Sequence, residues 1–209
     1  MDSATIQARI WRGYAKSAQV LGANYQFYRP AGTYPGAETV SLPVSLNAED
    51  MKYGKPNKYG KATWYALVDG TSVQVGDYFI GPQGTFFIAA MQPLLPILVV
   101  ECNRTISLSR PQAQSGKGAQ PYSGMTAADE TPYATGVPCS ILQGTKGEKS
   151  DADLPGDVRS PWWTVLLPGS VGRIQRGDLI IDDEAQRYMV SSNEQTDLGW
   201  RLTAMSAMA

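Results

Sequence analysis

A chain of 209 residues with 43% hydrophobic content is long enough for one large β domain or two smaller ones, and too apolar for wholesale disorder. Its formal net charge of −1, from 18 Lys+Arg against 19 Asp+Glu, argues against a free-standing nucleic-acid binder, so any such role must be local. It contains no histidine, which removes Ser–His and Cys–His nucleophile pairs, imidazole zinc ligands and the usual near-neutral general base.

The N-terminal segment MDSATIQARI is polar and mixed in charge, so no signal peptide is expected. No apolar run approaches ~20 residues, so no membrane span is expected and the chain reads as made in the cytoplasm. The first 22 residues form the one good helix, with Asp2 and Ser3 as cap candidates and Gly22 as a stop. Ile6, Ile10, Tyr14 and Ala18 recur at four-residue spacing and make one apolar stripe, widened by Ala15 and Leu21. Arg9, Arg12, Lys16 and Gln19 lie largely elsewhere, so the helix has one side to bury, on its own chain or on a neighbour. Ile6, Ile10, Trp11 and Tyr14 are the candidates for a partner interface on that helix.

After Gly22 the pattern changes to period two with frequent Gly and Pro. YQFYRP (25–30) is a short strand stopped by Pro30. TVSLPVSLN (39–47) is a strand in which Pro43 signals an edge or bulge. ATWYALVD (62–69) is a strand ended by Asp69-Gly70, a strong turn pair. DYFI (77–80), TFFIAAM (85–91) and ILVVECNRTISL (97–108) follow. The last reads as one half-buried strand, with Leu98, Val100, Cys102, Ile106 and Leu108 on the inward face. Residues 109–136 are rich in Gly, Pro, Ser, Gln and Ala and read as a linker or an arm that orders against a partner.

Beyond that linker the grammar returns. PCSI (138–141) matches PVSL (43–46), PWWTVLLPG (161–169) matches ATWYALVDG (62–70), and RGDLIID (176–182) matches VGDYFIG (75–81). QRYMV (186–190) matches GTFFI (84–88), and LGWRLTAM (198–205) takes the place of ILVVECNR, alternating Trp200, Leu202 and Ala204 with Arg201, Thr203 and Met205. From Gly-Asp to the following strand the copies read as aligned without a gap. The expected fold is therefore mainly β: two tandem small antiparallel β-barrel or sandwich modules of five strands each, preceded by one N-terminal α-helix. The expected boundaries are a helix and arm over 1–37, a first module over 38–108, a linker over 109–136 and a second module over 137–209.

Groups that can do chemistry are sparse. Cys102 and Cys139 are too few for a zinc site or a disulfide scaffold and read as reduced, buried thiols. Asp182, Asp183 and Glu184 cluster three carboxylates, which can suit a divalent cation, but they fall where a solvated hairpin turn belongs. SGKG (115–118) lacks the spaced first Gly and the Ser/Thr of a phosphate loop and sits in the linker. The pairs Gly76-Asp77 and Gly177-Asp178 read as turns, Gly taking the open φ and Asp bonding its own turn. Aromatics fall on predicted strands and read as packing residues rather than a stacking platform. No motif calls for a cofactor or a metal, and a non-enzyme is expected.

One loop stands out. KYGKPNKYGK (52–61) sets Lys52, Tyr53, Lys55, Lys58, Tyr59 and Lys61 around Pro56-Asn57, whereas its counterpart GTKGEKSDADLPGDVRS (144–160) carries three basic and four acidic residues. The first loop is suited to face phosphate backbone or an acidic neighbour, the second a basic one; a solvated hairpin is the alternative.

These residues carry a resemblance. VGDYFIGPQGTFFIAAMQPLLPILVVECNRTISLSRP (75–111) resembles a segment of structural proteins from tailed-phage and prophage morphogenesis clusters. GDLIIDDEAQRYMVSS…DLGWRLTAM (177–205) is similar to the small β-barrel head-completion, or stopper, proteins of phage necks. The resemblance covers both modules and consists mostly of β-turn grammar. It implies a virion protein, assembled in the host cytoplasm, that forms a homo-oligomeric ring or collar at the head–tail connector. It also implies contacts with portal, neck or tail proteins and nonspecific contact with packaged DNA. The chain departs from it in carrying two modules and an added helix. The rivals are a tail, baseplate or capsid-decorating protein of the same virion, a pair of carbohydrate-binding modules, and an enzyme.

Overall fold

The structure, a computed structural model, describes residues 2–48, 61–111, 130–144 and 161–207. The chain is mainly β, as expected, with one N-terminal helix. Helix α1 (Ser3–Leu21) starts where Asp2 Oδ1 accepts the Thr5 N–H at 2.7 Å and ends where the Gly22 N–H donates to the Ala18 carbonyl. The first barrel comprises β1 (Ala23–Arg29), β2 (Ala37–Ala48), β3 (Thr63–Leu67), β4 (Tyr78–Gly81), β5 (Gly84–Ala90) and β6 (Ile97–Cys102). The second comprises β7 (Arg104–Pro111), β8 (Glu130–Gln143), β9 (Trp162–Leu167), β10 (Leu179–Asp182), β11 (Arg187–Thr196) and β12 (Gly199–Ser206). The antiparallel orders are β1-β2-β3-β6-β5-β4 and β7-β8-β9-β12-β11-β10, one topology used twice; β1–β4 and β7–β10 pairings close the barrels. Among the described residues, no helix is long and apolar enough to cross a membrane, which says nothing of spanning by strands.

Three expectations change. Residues 97–108 are not one strand: Asn103 breaks the segment, β6 finishing the first barrel and β7 opening the second. Each module therefore has six strands, because β1 and β7 belong to the barrels and not to an arm or a shared strand. Residues 109–111 and 130–136, expected in the linker, are β7 and β8 residues; 112–129 lie outside the described residues. The copies are not gapless either. Gly76 matches Gly177, but Ile88 matches Val190, since Gly76 N–H donates to Ile88 O and Gly177 N–H to Val190 O. The extra residue falls in the β10–β11 turn, where Ala185 takes φ 60°.

Pairing explains the prolines. β2 pairs with β1 through residues 23–29 and with β3 only from Ser45 onward, so Pro43 sits where one edge of the strand is unpaired. Pro138 repeats this on β8, whose pairing with β9 begins at Ser140.

The two cores occupy the same positions with different chemistry. In the first, Phe27, Phe79 and Phe86 stack, with centroids 5.0 and 5.3 Å apart, and Tyr25 meets Phe79 edge-on. In the second, the register places Leu108, Ile180, Tyr188 and Ile106 there, all buried. A phenylalanine stack in one copy and a mostly aliphatic set around Tyr188 in the other keep the fold while erasing most sequence identity.

One polar device is retained in both. Arg29, at the end of β1, donates from Nε and Nη2 to the two oxygens of Asp77 at 2.8 and 2.7 Å, while the Gln74 N–H donates to Asp77 Oδ2. Arg110, at the end of β7, does the same to Asp178 at 2.9 and 2.9 Å, joined by Gln175 N–H and the Tyr133 hydroxyl. Both carboxylates are 1% exposed. The expected turn bond of the Gly-Asp pairs is present, and the arginines add charge compensation that turn grammar alone did not reveal. Burial works to raise the Asp178 carboxyl. Arg110, the Gln175 N–H and the Tyr133 hydroxyl outweigh it and hold the group below its usual range.

A depressed carboxyl stabilises the fold above its unfolded pKa and ceases to do so as pH falls through the folded value. Acid titration of wild-type protein is therefore expected to cost stability only below the ordinary carboxylate range. Replacing Asp178 with Asn should remove that acid dependence and lower stability near neutrality by about 2 kcal/mol, a modest figure because the arginine is partly solvated. Urea melts at several pH values check both.

Candidate functional site

The acidic turn is self-contained. Asp182 is buried rather than solvated: its Oδ1 accepts the Glu184 and Gln186 N–H groups at 3.0 and 2.8 Å, and its Oδ2 accepts the Tyr188 hydroxyl at 3.2 Å. Burial, with Asp182 beside it, pushes the Tyr188 phenol up to about 12. Arg104 reaches Glu184 at 2.9 Å and lies 3.8 and 3.9 Å from Asp182 and Asp183. Among the described residues no group of three or more His, Cys, Asp or Glu is placed to hold a metal ion. Cys102 and Cys139 are free thiols, and burial pushes both well above the usual thiol range, which suppresses the nucleophilic thiolate.

What the sequence brings together instead is a joint between the barrels. Strand β6 is apolar on both sides as far as Val100: Ile97 and Val99 point into the first barrel, Leu98, Val100 and Cys102 point outward, and Glu101 near its end accepts the Trp64 indole N–H. Those outward residues join Ala62, Tyr78, Phe87 and Ala89 of the first barrel and Leu142 and Leu166 of the second in one cluster. Cys102 thus belongs to the joint and not to a barrel core. The Tyr78 hydroxyl, buried within the joint, donates to the Pro138 carbonyl at 3.0 Å. Asn103 locks the break between β6 and β7: its Nδ2 donates to Ile141 O at 2.9 Å, its Oδ1 accepts Ile141 N–H at 2.8 Å, and its own N–H donates to Cys139 O at 3.0 Å. The β1–β2 loop also crosses over, the Tyr34 hydroxyl donating to Ser170 O at 3.1 Å. Beside this joint lies a groove of about 220 Å³, lined by Phe87, Leu98, Leu166, Leu198 and Trp200 with Arg201 at its polar side.

Helix α1 packs on its own chain, against β2 and β3. Of its interface candidates, Ile10, Trp11 and Tyr14 are half-buried and Ile6 is exposed; Ala18 alone is fully buried. The Trp11 ring lies so close to Gly70 that a Cβ there would stand 2.6 Å from the indole. Gln7 Oε1 accepts the Leu94 N–H at 2.7 Å, tying the helix to the β5–β6 loop, where Leu94 holds φ 65°. Of the basic-loop candidates, Lys52, Tyr53, Lys55, Lys58 and Tyr59 lie outside the described residues, as does most of the acidic counterpart; Lys61 is exposed just before β3. Sequence reasoning missed Arg29, Arg110, Tyr78 and Asn103. The recurring Arg-Pro of YRP (28–30) and SRP (109–111) was a usable signal for the two arginines.

No protein-family model, curated protein or solved structure matches this chain.

Replacing Asn103 with Ala removes a two-way amide–backbone contact at the joint and leaves Ile141 unpaired. The expected loss is about 2 kcal/mol, concentrated in barrel–barrel coupling. Hydrogen exchange should rise at Ile141 and across the joint, with the Arg110–Asp178 end of the second barrel protected as before.

Proposed function

We propose that this chain is a virion structural protein of a tailed phage, acting at the head-to-tail interface as a ring of copies that joins portal to tail and lines or seals the DNA channel. The observation that carries the reading is the joining of two copies of one closed barrel through an apolar, hydrogen-bonded joint, with an added helix at one end. Small closed barrels have no free sheet edges, so many copies can be held at high local concentration without edge-to-edge aggregation. The resemblance of residues 75–111 to structural proteins of tailed-phage morphogenesis clusters, and of 177–205 to the stopper proteins of phage necks, supplies the biological setting. A structural rather than catalytic role is supported by thiols held protonated and by carboxylates engaged in turns and arginine pairs. In this reading the basic loop at 52–61 faces DNA.

Mass measurement of the purified protein with and without portal protein tests the assignment. A discrete multi-copy species that joins the portal is the expected result; attachment to tails or capsids instead would move it to another station of the virion. Replacing Lys52, Lys55, Lys58 and Lys61 with Gln should leave assembly intact and lower DNA retention in assembled heads. Unchanged retention with unchanged assembly would remove the loop from the DNA-facing role.

A further inference from the structure

Helix α1 carries two opposed faces. Gln7, Ile10, Trp11, Tyr14 and Ala18 turn toward the barrel, where the helix packs on β2 and β3. Arg9, Arg12 and Lys16 recur at spacings of three and four, so they form one stripe on the opposite side, and all three are exposed. Among the described residues none of the three forms an ion pair, whereas Arg29, Arg104, Arg110, Arg187 and Arg201 each do.

The stripe is unbalanced in sequence as well. No Asp or Glu occurs from Ser3 to Ala37, although acids slightly outnumber bases in the whole chain. A helix face kept only for solubility gains from an acid four residues before each Lys or Arg. Four residues before Arg9, Arg12 and Lys16 stand Thr5, Ala8 and Arg12, so the last pair is repulsive and the others are neutral. Neighbouring acids are engaged elsewhere. Asp69, on the turn whose Gly70 meets Trp11, accepts the Thr71 N–H and hydroxyl, and Glu38 accepts the Gln26 amide.

The face is also separate from the basic loop. β3 pairs with β2 from Trp64 to Leu67; Lys61 precedes one end of that pairing, while Gly70, under Trp11, lies past the other. A helix that lies on a membrane turns its apolar side outward. Here that side is against the barrel and the cations are outside, which is the arrangement that suits a hydrophilic polyanion. From Arg9 to Lys16 the stripe runs roughly 10 Å along the helix axis. One DNA strand sets a phosphate about every 3.4 Å of its axis, so the stripe can meet about three phosphates.

We infer that the Arg9–Arg12–Lys16 face of α1 is a DNA-binding surface in its own right, and that its occupant is the phosphate backbone of duplex DNA, bound without regard to sequence. The inference rests on the phage reading only for the source of that DNA; the cationic face itself is read from the helix.

Binding of the full chain to a fluorescent duplex of mixed sequence, titrated over a salt series, tests it. Wild type is expected to bind at about 20 mM salt, and raising salt from about 50 to about 200 mM should cost the three helix contacts roughly 40-fold in affinity. Arg9→Gln/Arg12→Gln/Lys16→Gln should reduce the slope of log affinity against log salt by about 1 per residue. Gln keeps helix propensity at these exposed positions, so thermal melts are expected to stay near wild type. Arg173→Gln/Arg176→Gln, also exposed and between β9 and β10, controls for bulk charge and should leave the slope nearly as it was. No duplex binding at low salt, a helix variant with the wild-type slope, or a control that loses as much per charge would each overturn the face. So would a preference for phosphatidylserine vesicles or polyglutamate over the duplex. Portal binding is read separately: helix-dependent duplex binding by a chain that never joins the portal keeps the inference and sinks the neck assignment. Portal-bound rings whose duplex binding is indifferent to Arg9, Arg12 and Lys16 do the reverse.

Discussion

Everything in each barrel depends on neutralising one buried carboxylate. A six-stranded barrel closes only if the first strand meets the fourth, β1 with β4 or β7 with β10. The connection from the third strand must run across the barrel end to reach that position. Asp77 and Asp178 terminate this crossing: each accepts the backbone N–H of the residue three before it, and its own backbone fastens the fifth strand through Ile88 or Val190. Desolvating such a carboxylate is costly unless a cation meets it. Arg29 and Arg110, the last side chains of the closing strands before a proline or at one, supply that cation in bidentate form. The ion pair therefore joins the first strand, the crossing and the fourth strand at one point, which is why both copies keep it while their cores diverge.

The second constraint is the doubled duty of β6. Ile97 and Val99 fill the first barrel and Leu98, Val100 and Cys102 fill the joint, so the strand is apolar on both faces through Val100, unlike a half-solvated barrel strand. Asn103 then turns the chain into β7 without leaving backbone groups stranded, since one side chain satisfies both the N–H and the carbonyl of Ile141. A short break with a two-way amide contact leaves the barrels little freedom to reorient, in contrast to modules on a flexible tether.

Much of this was legible before any coordinates, and the failures have physical causes. The period-two runs, Asp-Gly and Gly-Asp turns and matched segments were enough for two tandem β modules, and the caps at Asp2 and Gly22 were enough for the helix. The strand through 97–108 was misjudged because period-two alternation continues in phase on both sides of Asn103, although inward means the joint before it and the second core after it. The six-strand count was lost with it, since the first strand of each copy was credited elsewhere. The gapless alignment failed on one residue, Ala185, because a hairpin turn absorbs an insertion without disturbing strand phase. The arginines were invisible to hydrophobic patterning: they lie 48 and 68 positions from their carboxylates, and such pairing follows from closure, not from local sequence.

The helix completes the logic of the repeat. A barrel of this topology has one end that requires cover: on the second barrel the first barrel supplies it, and on the first barrel α1 does, with Trp11 against Gly70 where Tyr34 reaches Ser170. A repeat array needs atypical elements at its termini, because the outermost unit has no neighbour to complete its apolar surface. Helix α1 is such an element at one terminus. The other terminus, at the Met189–Met205 pair, carries no equivalent among the described residues. A two-unit array capped by a helix at one end and carrying an exposed methionine pair at the other is polar in the directional sense: its two ends differ.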